Sequence, residues 1–121
     1  RNIKGVQKIL TTYRSLLVRN KGKKVKMIIS ELGWADKGHK NPQVVGSKGQ
    51  ANRVRDMFKL VSRLRTKLKI IGLTYFDWKD FPVSKGDPKG NTWGYHTGLL
   101  TTKGKHKPAY RTYQRGVKSL R

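Results

Sequence analysis

A carboxylate stands at the end of a hydrophobic run in a sequence that is poor in carboxylates. In the segment MIISELGWADKG, residues 27–38, Glu31 follows an apolar run and is followed in turn by Gly33, Trp34 and Asp36. The whole chain of 121 residues contains 29 Lys and Arg but only six Asp and Glu. Glu31 is therefore either an ion-paired residue that closes a strand or a functional group.

The other acidic residues are also concentrated near the ends of predicted strands. Glu31 and Asp36 follow a first predicted strand, and only Asp56 falls on a predicted helix. The remaining acids lie at or after the end of a second predicted strand: Asp77, Asp80 and Asp87. The carboxyl ends of parallel strands are where α/β proteins build their sites. The placement therefore favours a site at this edge.

Aromatic side chains accompany these carboxylates. The predicted strand ends and the loops after them carry Trp34, Trp78, Trp93 and His96. Carboxylates among flat rings suit a sugar, because its C–H faces stack on aromatic rings and its hydroxyl groups need acceptors. The alternative is structural, since Asp is common in loops and Trp is common in cores. The pattern leaves both interpretations open.

The elements that must position these residues follow from hydrophobic periodicity. Apolar residues spaced three and four apart predict a first helix that ends near residues 20–22: Val6, Ile9, Leu10, Tyr13, Leu16 and Leu17. Residues 25–32 read as a buried strand covered on both faces, and residues 33–49 as a long loop. Ser47 and Gln50 fit a capping box that opens a second helix. Its predicted buried stripe is Ala51, Val54, Met57, Phe58, Val61, Leu64 and Leu68.

A second strand is predicted over residues 70–78, followed by a loop over about 79–107. Pro108 fits the first turn of a last helix, which carries Tyr110, Tyr113, Val117 and Leu120 on one face. The predicted order is thus α-β-α-β-α, and the strand–helix–strand connection implies parallel strands. Two parallel strands leave both sheet edges unpaired. Residues 1–121 are therefore expected to form one partial module, either completed by a second chain or belonging to a larger α/β protein.

Four segments resemble a known family. ISELGWA at 29–35, YFDWKD at 75–80, WGYHTGLL at 93–100 and KPAY at 107–110 resemble the C-terminal part of retaining glycoside hydrolases built on a β/α (TIM) barrel. The order and spacing of the segments carry the resemblance more than any one of them does. It implies a fold running from about helix 6 to helix 8 of the barrel.

The resemblance also implies roles for individual residues. Glu31 matches the catalytic nucleophile at the end of strand 7, and Trp78 matches the tryptophan that floors the sugar subsite. Further substrate-binding residues implied with it are Trp34, Asp77, Asp80, Trp93 and His96. The acid/base Glu of this clan lies on strand 4, which this chain lacks. The expected function is retaining hydrolysis of oligo- or polysaccharides when the missing barrel portion is supplied, with the isolated chain inactive.

The net charge of +23 supports an interpretation of a different class. The second helix is expected to carry a cationic face that binds nucleic acid or another polyanion: Arg53, Arg55, Lys59, Arg63, Arg65, Lys67 and Lys69. No zinc-finger, RNP-type or helix-turn-helix pattern accompanies this charge. A merely solvated cationic surface is the third interpretation.

Several classes of function are disfavoured by the sequence. There is no Cys, and the spacing of the three His residues fits no metal site, so neither a metal nor a cofactor is expected. The apolar runs are too short to span a bilayer. The resemblance is compatible with secretion, but no signal-peptide pattern opens the chain. The localisation therefore stays open.

Overall fold

The computed structural model describes residues 2–86 and 92–120. Within them the elements are α1 (Ile3–Arg19), β1 (Met27–Leu32), α2 (Gly46–Leu68), β2 (Ile70–Tyr75), a 3-10 helix (Trp93–His96) and α3 (Pro108–Ser119). The predicted α-β-α-β-α order is confirmed. Asp87 lies outside the described residues.

The two strands form a parallel sheet and are joined by a crossover through α2. Met27 pairs with Ile70 at the start of the sheet, and Leu32 pairs with Tyr75 at its end. The side chains of Ile29 and Ile70 are buried, whereas Ile28 and Ile71 are 64% and 62% exposed. The prediction that the first strand is covered on both faces is therefore wrong for the described residues. Apolar side chains of both strands therefore remain exposed at Ile28 and Ile71.

The first helix is closed by polar groups at both ends. The Asn2 side chain accepts a hydrogen bond of 2.9 Å from the Gly5 backbone N–H, and the helix ends at Asn20, near the predicted stop. Its predicted apolar stripe is only partly buried, since Tyr13 and Leu16 are 59% and 45% exposed. The neighbouring Arg14 is buried instead. Its guanidinium donates to the carbonyls of Lys23 and Val25 and ties the helix to the entry of β1.

The start of α2 differs from the predicted capping box. Val45 is the N-cap, and no side chain caps the first turn. The Ser47 hydroxyl donates to Asp36 at 3.4 Å, while Gln50 is fully buried. The capping-box prediction is wrong, because both side chains bond to the loops beyond the strands instead of to the helix itself.

The core lies between α2, α3 and the covered face of the sheet. The predicted α2 stripe is confirmed, with Val54, Met57, Phe58, Val61 and Leu68 buried. Helix α3 starts at Pro108, as predicted, and approaches α2 closely at Gly116. A Cβ on Gly116 would lie only 2.1 Å from the Phe58 ring. This glycine therefore sets the distance between the two helices.

The second strand ends earlier than predicted, at Tyr75 instead of Trp78. One further parallel hydrogen bond of 3.1 Å joins the Phe76 N–H to the Leu32 carbonyl. Beyond it, the Phe76–Asp77 peptide bond is cis and the chain leaves the sheet. No helix in residues 2–86 and 92–120 combines the length and the apolar character needed to cross a membrane.

Candidate functional site

The carboxyl ends of the two strands meet closely at one edge of the sheet. Gly33 follows β1, and a Cβ there would lie 1.8 Å from the Phe76 carbonyl oxygen, so only glycine fits this contact. Glu31 is the penultimate residue of β1, and Asp77 and Trp78 follow β2 by two and three residues. The structure therefore brings the segments that carry Glu31, Asp77 and Trp78 to the same edge.

Glu31 is exposed at this edge. Among the described residues, the ion pairs involve Asp36, Asp56 and Asp80, and none involves Glu31. The interpretation of Glu31 as an ion-paired strand end therefore has no support within the described part of the chain. Its carboxylate is available to solvent or to a ligand.

Trp78 presents a large aromatic surface beside the strand ends. Its side chain is 56% exposed and packs edge-on against Tyr110, with ring centroids 5.7 Å apart. Tyr110 in turn stacks on His106 at 3.8 Å with an interplanar angle of 15°. The sequence placed Tyr110 on one face of the last helix and gave His106 no role. The KPAY segment could have signalled this contact, since it lies within the resemblance.

Asp77 is half-buried and bonds locally. One of its carboxylate oxygens accepts a hydrogen bond from the Trp78 backbone N–H. Its carbonyl accepts a bond of 3.1 Å from the Leu99 N–H. These contacts fix the turn that projects Trp78.

Asp36 and Asp80 belong to a buried ion cluster centred on Lys107. The Lys107 ammonium lies 2.9 Å from Asp36 Oδ1 and 2.7 Å from Asp80 Oδ1, and its side chain is 3% exposed. It also donates to the His96 carbonyl at 3.2 Å. Asp80 Oδ1 accepts a further bond from the Gly98 N–H at 2.9 Å. The cluster therefore ties the loops after both strands to the start of α3.

The other two tryptophans are less accessible than Trp78. Trp34 is only 1% exposed and lies in the hydrophobic core. Trp93 is half-buried and packs against Phe76 with ring centroids 6.3 Å apart. In the described structure Trp34 is thus a core residue, and Trp78 is the tryptophan whose ring is accessible to a ligand.

Gln50 is a buried connection that sequence reasoning missed. Its amide nitrogen donates to the carbonyls of Trp34, Thr97 and Gly98 at 3.0–3.1 Å. The nearby Tyr75 hydroxyl also donates to the Thr97 carbonyl at 3.1 Å, and burial raises the pKa of this phenol. The signal available in the sequence was that Gln50 precedes Val54 by one helical turn and so extends the buried stripe.

His96 lies at the end of the 3-10 helix, and burial together with the nearby Lys37 lowers its pKa. Asp80 and Asp36 act in the opposite direction, and Lys107 adds to the lowering. Its Nδ1 is buried without a hydrogen-bond partner among the described residues. Its backbone carbonyl accepts bonds from Lys107 and from the Asp36 N–H. In the described residues, no group of three or more His, Asp or Glu is arranged to hold a metal ion.

The predicted cationic face of α2 divides into separate parts. Arg55, Lys59 and Arg63 line a groove between α2 and α3. Arg65 donates to the Leu120 carbonyl at 2.9 Å and, with Lys69, lies beside Lys24 and Lys26 at the amino end of the sheet. Arg53 is half-buried, and Lys67 is exposed. The face is thus not one continuous stripe.

Three solved structures show similarity to this fold. A β-glucuronidase from Ruminococcus gnavus matches with a TM-score of 0.58 and 19% identity, over 93% of this chain and 20% of its own. A β-glucuronidase from an uncultured Clostridium species matches with a TM-score of 0.56 and 19% identity, over 93% and 20%. A GH5 protein from Bifidobacterium longum, solved in complex with Manβ1-4GlcNAc, matches with a TM-score of 0.54 and 18% identity, over 73% and 18%.

The fold is that of a fragment of TIM-barrel glycosidases. The predicted fold class is therefore confirmed. The chain spans about one fifth of the length of these neighbours. No protein-family model matches the sequence, and no curated protein does.

Proposed function

We propose that this chain supplies the nucleophile side of a retaining glycoside hydrolase site, with Glu31 as the nucleophile. The observation that carries the proposal is the pairing, at one strand-end edge, of Glu31 without an ion-pair partner among the described residues and the exposed ring of Trp78. The glycoside hydrolase neighbours support the same assignment at the level of fold.

In the proposed reaction, the Glu31 carboxylate attacks the anomeric carbon of the substrate. The bond from this carbon to the leaving oxygen breaks, and a second carboxyl group protonates that oxygen. Water then attacks the anomeric carbon of the glycosyl–Glu31 ester and gives its proton to the second group, now a carboxylate. The released sugar keeps its anomeric configuration, and Glu31 is regenerated.

The second carboxyl group is proposed to come from another part of the barrel, because the other described acids near the strand ends are already engaged. Glu31 is the only Glu in the sequence. Asp36 and Asp80 are held by Lys107, and Asp77 is bonded to its own turn. A retaining pair requires two carboxyl groups about 5–5.5 Å apart, with one of them able to donate a proton. The chain alone is therefore proposed to be inactive.

The free strand edges and exposed strand residues support a place where the rest of the barrel would pack. Ile28 and Ile71 are apolar and more than half exposed, and each strand has a free edge. The proposed partner is the N-terminal barrel portion, or a second chain that pairs with these edges and covers these side chains. Such packing would close a site around Glu31.

The proposed substrate is a β-linked oligo- or polysaccharide. The names of the neighbours support this, since two are β-glucuronidases and one is bound to Manβ1-4GlcNAc. The Trp78 ring is proposed to stack on the C–H face of one sugar unit, supported by Tyr110 and His106. Asp77, Trp93 and His96 are proposed to border the subsite, and Trp34 and Asp80 to hold its floor in place.

Hydrolysis of aryl β-glycosides tests this proposal. The chain would be assayed alone and after co-expression with the barrel portion that provides the other strands, using gluco, manno and glucurono substrates. We expect activity only in the assembled form, and loss of several orders of magnitude in Glu31→Gln. Asp56→Asn is the matched control, because it removes one carboxylate from the exposed flank of α2. Full activity in assembled Glu31→Gln would overturn the proposal.

A further inference from the structure

A cationic groove lies between α2 and α3, on the helix flank. It has a volume of about 610 Å³, and its floor is formed where Gly116 packs on the Phe58 ring. Three cations of α2 and one of α3 line it: Arg55, Lys59, Arg63 and Arg115. Hydroxyl and amide groups lie among them, contributed by Asn52, Ser62, Thr112 and Ser119.

The four cations are poorly neutralised by the described residues. No Asp or Glu lines the groove among them. Arg55 lies 3.5 Å from the half-buried Asp56, which also lines a smaller pocket with Lys59 and Arg63, so a single acid lies beside three of the four cations. Arg63 donates to the neutral Gln7 side chain at 2.8 Å. Net positive charge thus remains at the groove, and a bound anion would gain from it.

The spacing of the cations suits a linear polyanion. Arg55, Lys59 and Arg63 follow one another at four-residue intervals along α2, which corresponds to a row about 12 Å long. One nucleic-acid strand carries a phosphate about every 3.4 Å of helix axis, so this row spans roughly three or four phosphates. Arg115 faces the row from α3. A short segment of one strand could therefore contact all four cations.

The groove offers groups that bind phosphate and no exposed aromatic ring that could stack on a base. Three of the four cations are Arg, whose planar fork binds phosphate oxygens through two parallel hydrogen bonds. Phe58 is the aromatic residue of the lining, and it is only 5% exposed, so its ring is not free to stack on a base. Binding through this groove would therefore be independent of base sequence.

We propose that the α2–α3 groove binds the phosphodiester backbone of nucleic acid, with Arg55, Lys59, Arg63 and Arg115 as its phosphate contacts. The groove includes Arg115, which the sequence did not single out, and excludes four residues of the predicted cationic face: Arg53, Arg65, Lys67 and Lys69. It contains neither Glu31 nor Trp78, so this proposal does not depend on the glycosidase assignment.

The test is fluorescence anisotropy with labelled 20-base-pair DNA duplexes of two unrelated sequences, over a range of salt concentrations. In the groove variant, Arg55, Lys59, Arg63 and Arg115 are all replaced by Gln. In the matched control, four exposed lysines outside the groove are replaced by Gln: Lys24, Lys26, Lys40 and Lys103. Both variants lose four positive charges. Thermal unfolding of each variant shows whether it folds.

We expect similar affinity for both duplexes and at least a tenfold weaker affinity in the groove variant. The slope of log affinity against log salt should decrease by about three to four units, since each phosphate contact contributes about 0.9. The control should change affinity less than threefold. Equal losses in the two variants would overturn the proposal, because binding would then follow total charge.

A second measurement uses the unmodified chain and does not depend on how the variants fold. Lysine acetylation is followed by mass spectrometry with and without the DNA duplex. We expect protection of Lys59 and no protection of Lys103, whereas equal protection of the two would contradict the groove. Displacement of the DNA by polyglucuronate at lower charge concentration than by inorganic polyphosphate would contradict the phosphate assignment.

Discussion

Charged side chains are arranged differently at the strand-end edge and on the helix flank of this molecule. At the strand ends, Asp36 and Asp80 both form ion pairs with the buried Lys107. Two of the six acidic residues of the chain therefore neutralise one internal lysine. On the flank, Arg55, Lys59, Arg63 and Arg115 line a groove to which no described acid contributes. The net charge of +23 is therefore distributed unevenly between these two regions.

The two regions also differ in completeness. Both walls of the groove belong to this chain, because α2 and α3 provide them and Gly116 fixes their separation. The two strands, by contrast, have free edges and carry the exposed side chains of Ile28 and Ile71. Phosphate binding is therefore expected from the chain alone, whereas the proposed sugar chemistry would require further strands. Four substitutions are therefore expected to perturb one region and spare the other.

The largest expected effect on stability comes from Lys107→Met. The substitution leaves Asp36 and Asp80 buried without their cation, and removing one partner of a buried ion pair costs about 3–5 kcal/mol. Urea unfolding would measure the loss. Lys105→Met is the matched control, since Lys105 is exposed two residues earlier and should cost under about 0.5 kcal/mol. Equal costs in the two variants would show that the cluster does not hold the strand-end loops.

Gln50→Leu should have the next largest effect. It removes the donor shared by the carbonyls of Trp34, Thr97 and Gly98, and a buried unsatisfied group costs about 1–3 kcal/mol. We expect the free energy of unfolding, measured with denaturant, to fall by about 3 kcal/mol. Gln114→Leu, on the exposed side of α3, is the control and should be nearly neutral. A neutral Gln50→Leu would mean that the strand-end loops find other partners.

Gly116→Ala perturbs the flank and spares the strand ends. The added methyl group would overlap the Phe58 ring, and overpacking of this kind costs about 1–3 kcal/mol. We expect a loss of about 2 kcal/mol with weaker DNA binding, because the groove walls move apart. Gly86→Ala is the control, because its new methyl group meets open space. Unchanged DNA affinity in a destabilised Gly116→Ala would separate the groove from binding.

The smallest expected effect is a change in pH dependence at His96. Its pKa is lowered from 6.5 in the folded chain, chiefly by burial and by Lys37, so the unfolded chain binds a proton more readily. Stability should therefore fall as the pH drops below about 6.5 towards the lower folded pKa. His96→Gln should flatten the curve in this range. Parallel curves for wild type and His96→Gln would contradict this origin.

Much of the fold could be predicted because it depends on local periodicity. The apolar stripe of α2 and the helix start at Pro108 are written in residues three and four apart, and both are confirmed. The end of β2 was placed three residues too late, because the segment after Tyr75 is aromatic and reads like strand. The covering of the first strand was also wrong, because its hydrophobicity does not reveal which neighbours are present.

The contacts that hold the site were beyond reach of the sequence. Lys107 and Asp36 are 71 residues apart, and although Lys107 opens the KPAY segment, no local pattern shows that it pairs with Asp36. Gln50 looked like a helix cap because its local pattern fits one, but tertiary contacts with two distant loops decide its position. Arg115 joined the groove only when the packing of α3 against α2 was known.

Covalent trapping of Glu31 tests the sugar-site assignment most directly. In an activated fluoro-sugar, a dinitrophenolate leaving group departs without being protonated. The nucleophile can therefore be trapped without help from the second carboxyl group. After incubation of the assembled barrel with β-configured reagents, intact mass and peptide mapping would locate the adduct. We predict one glycosyl group on Glu31 and none in Glu31→Gln. An adduct on another residue, or turnover with no adduct at Glu31, would contradict the account.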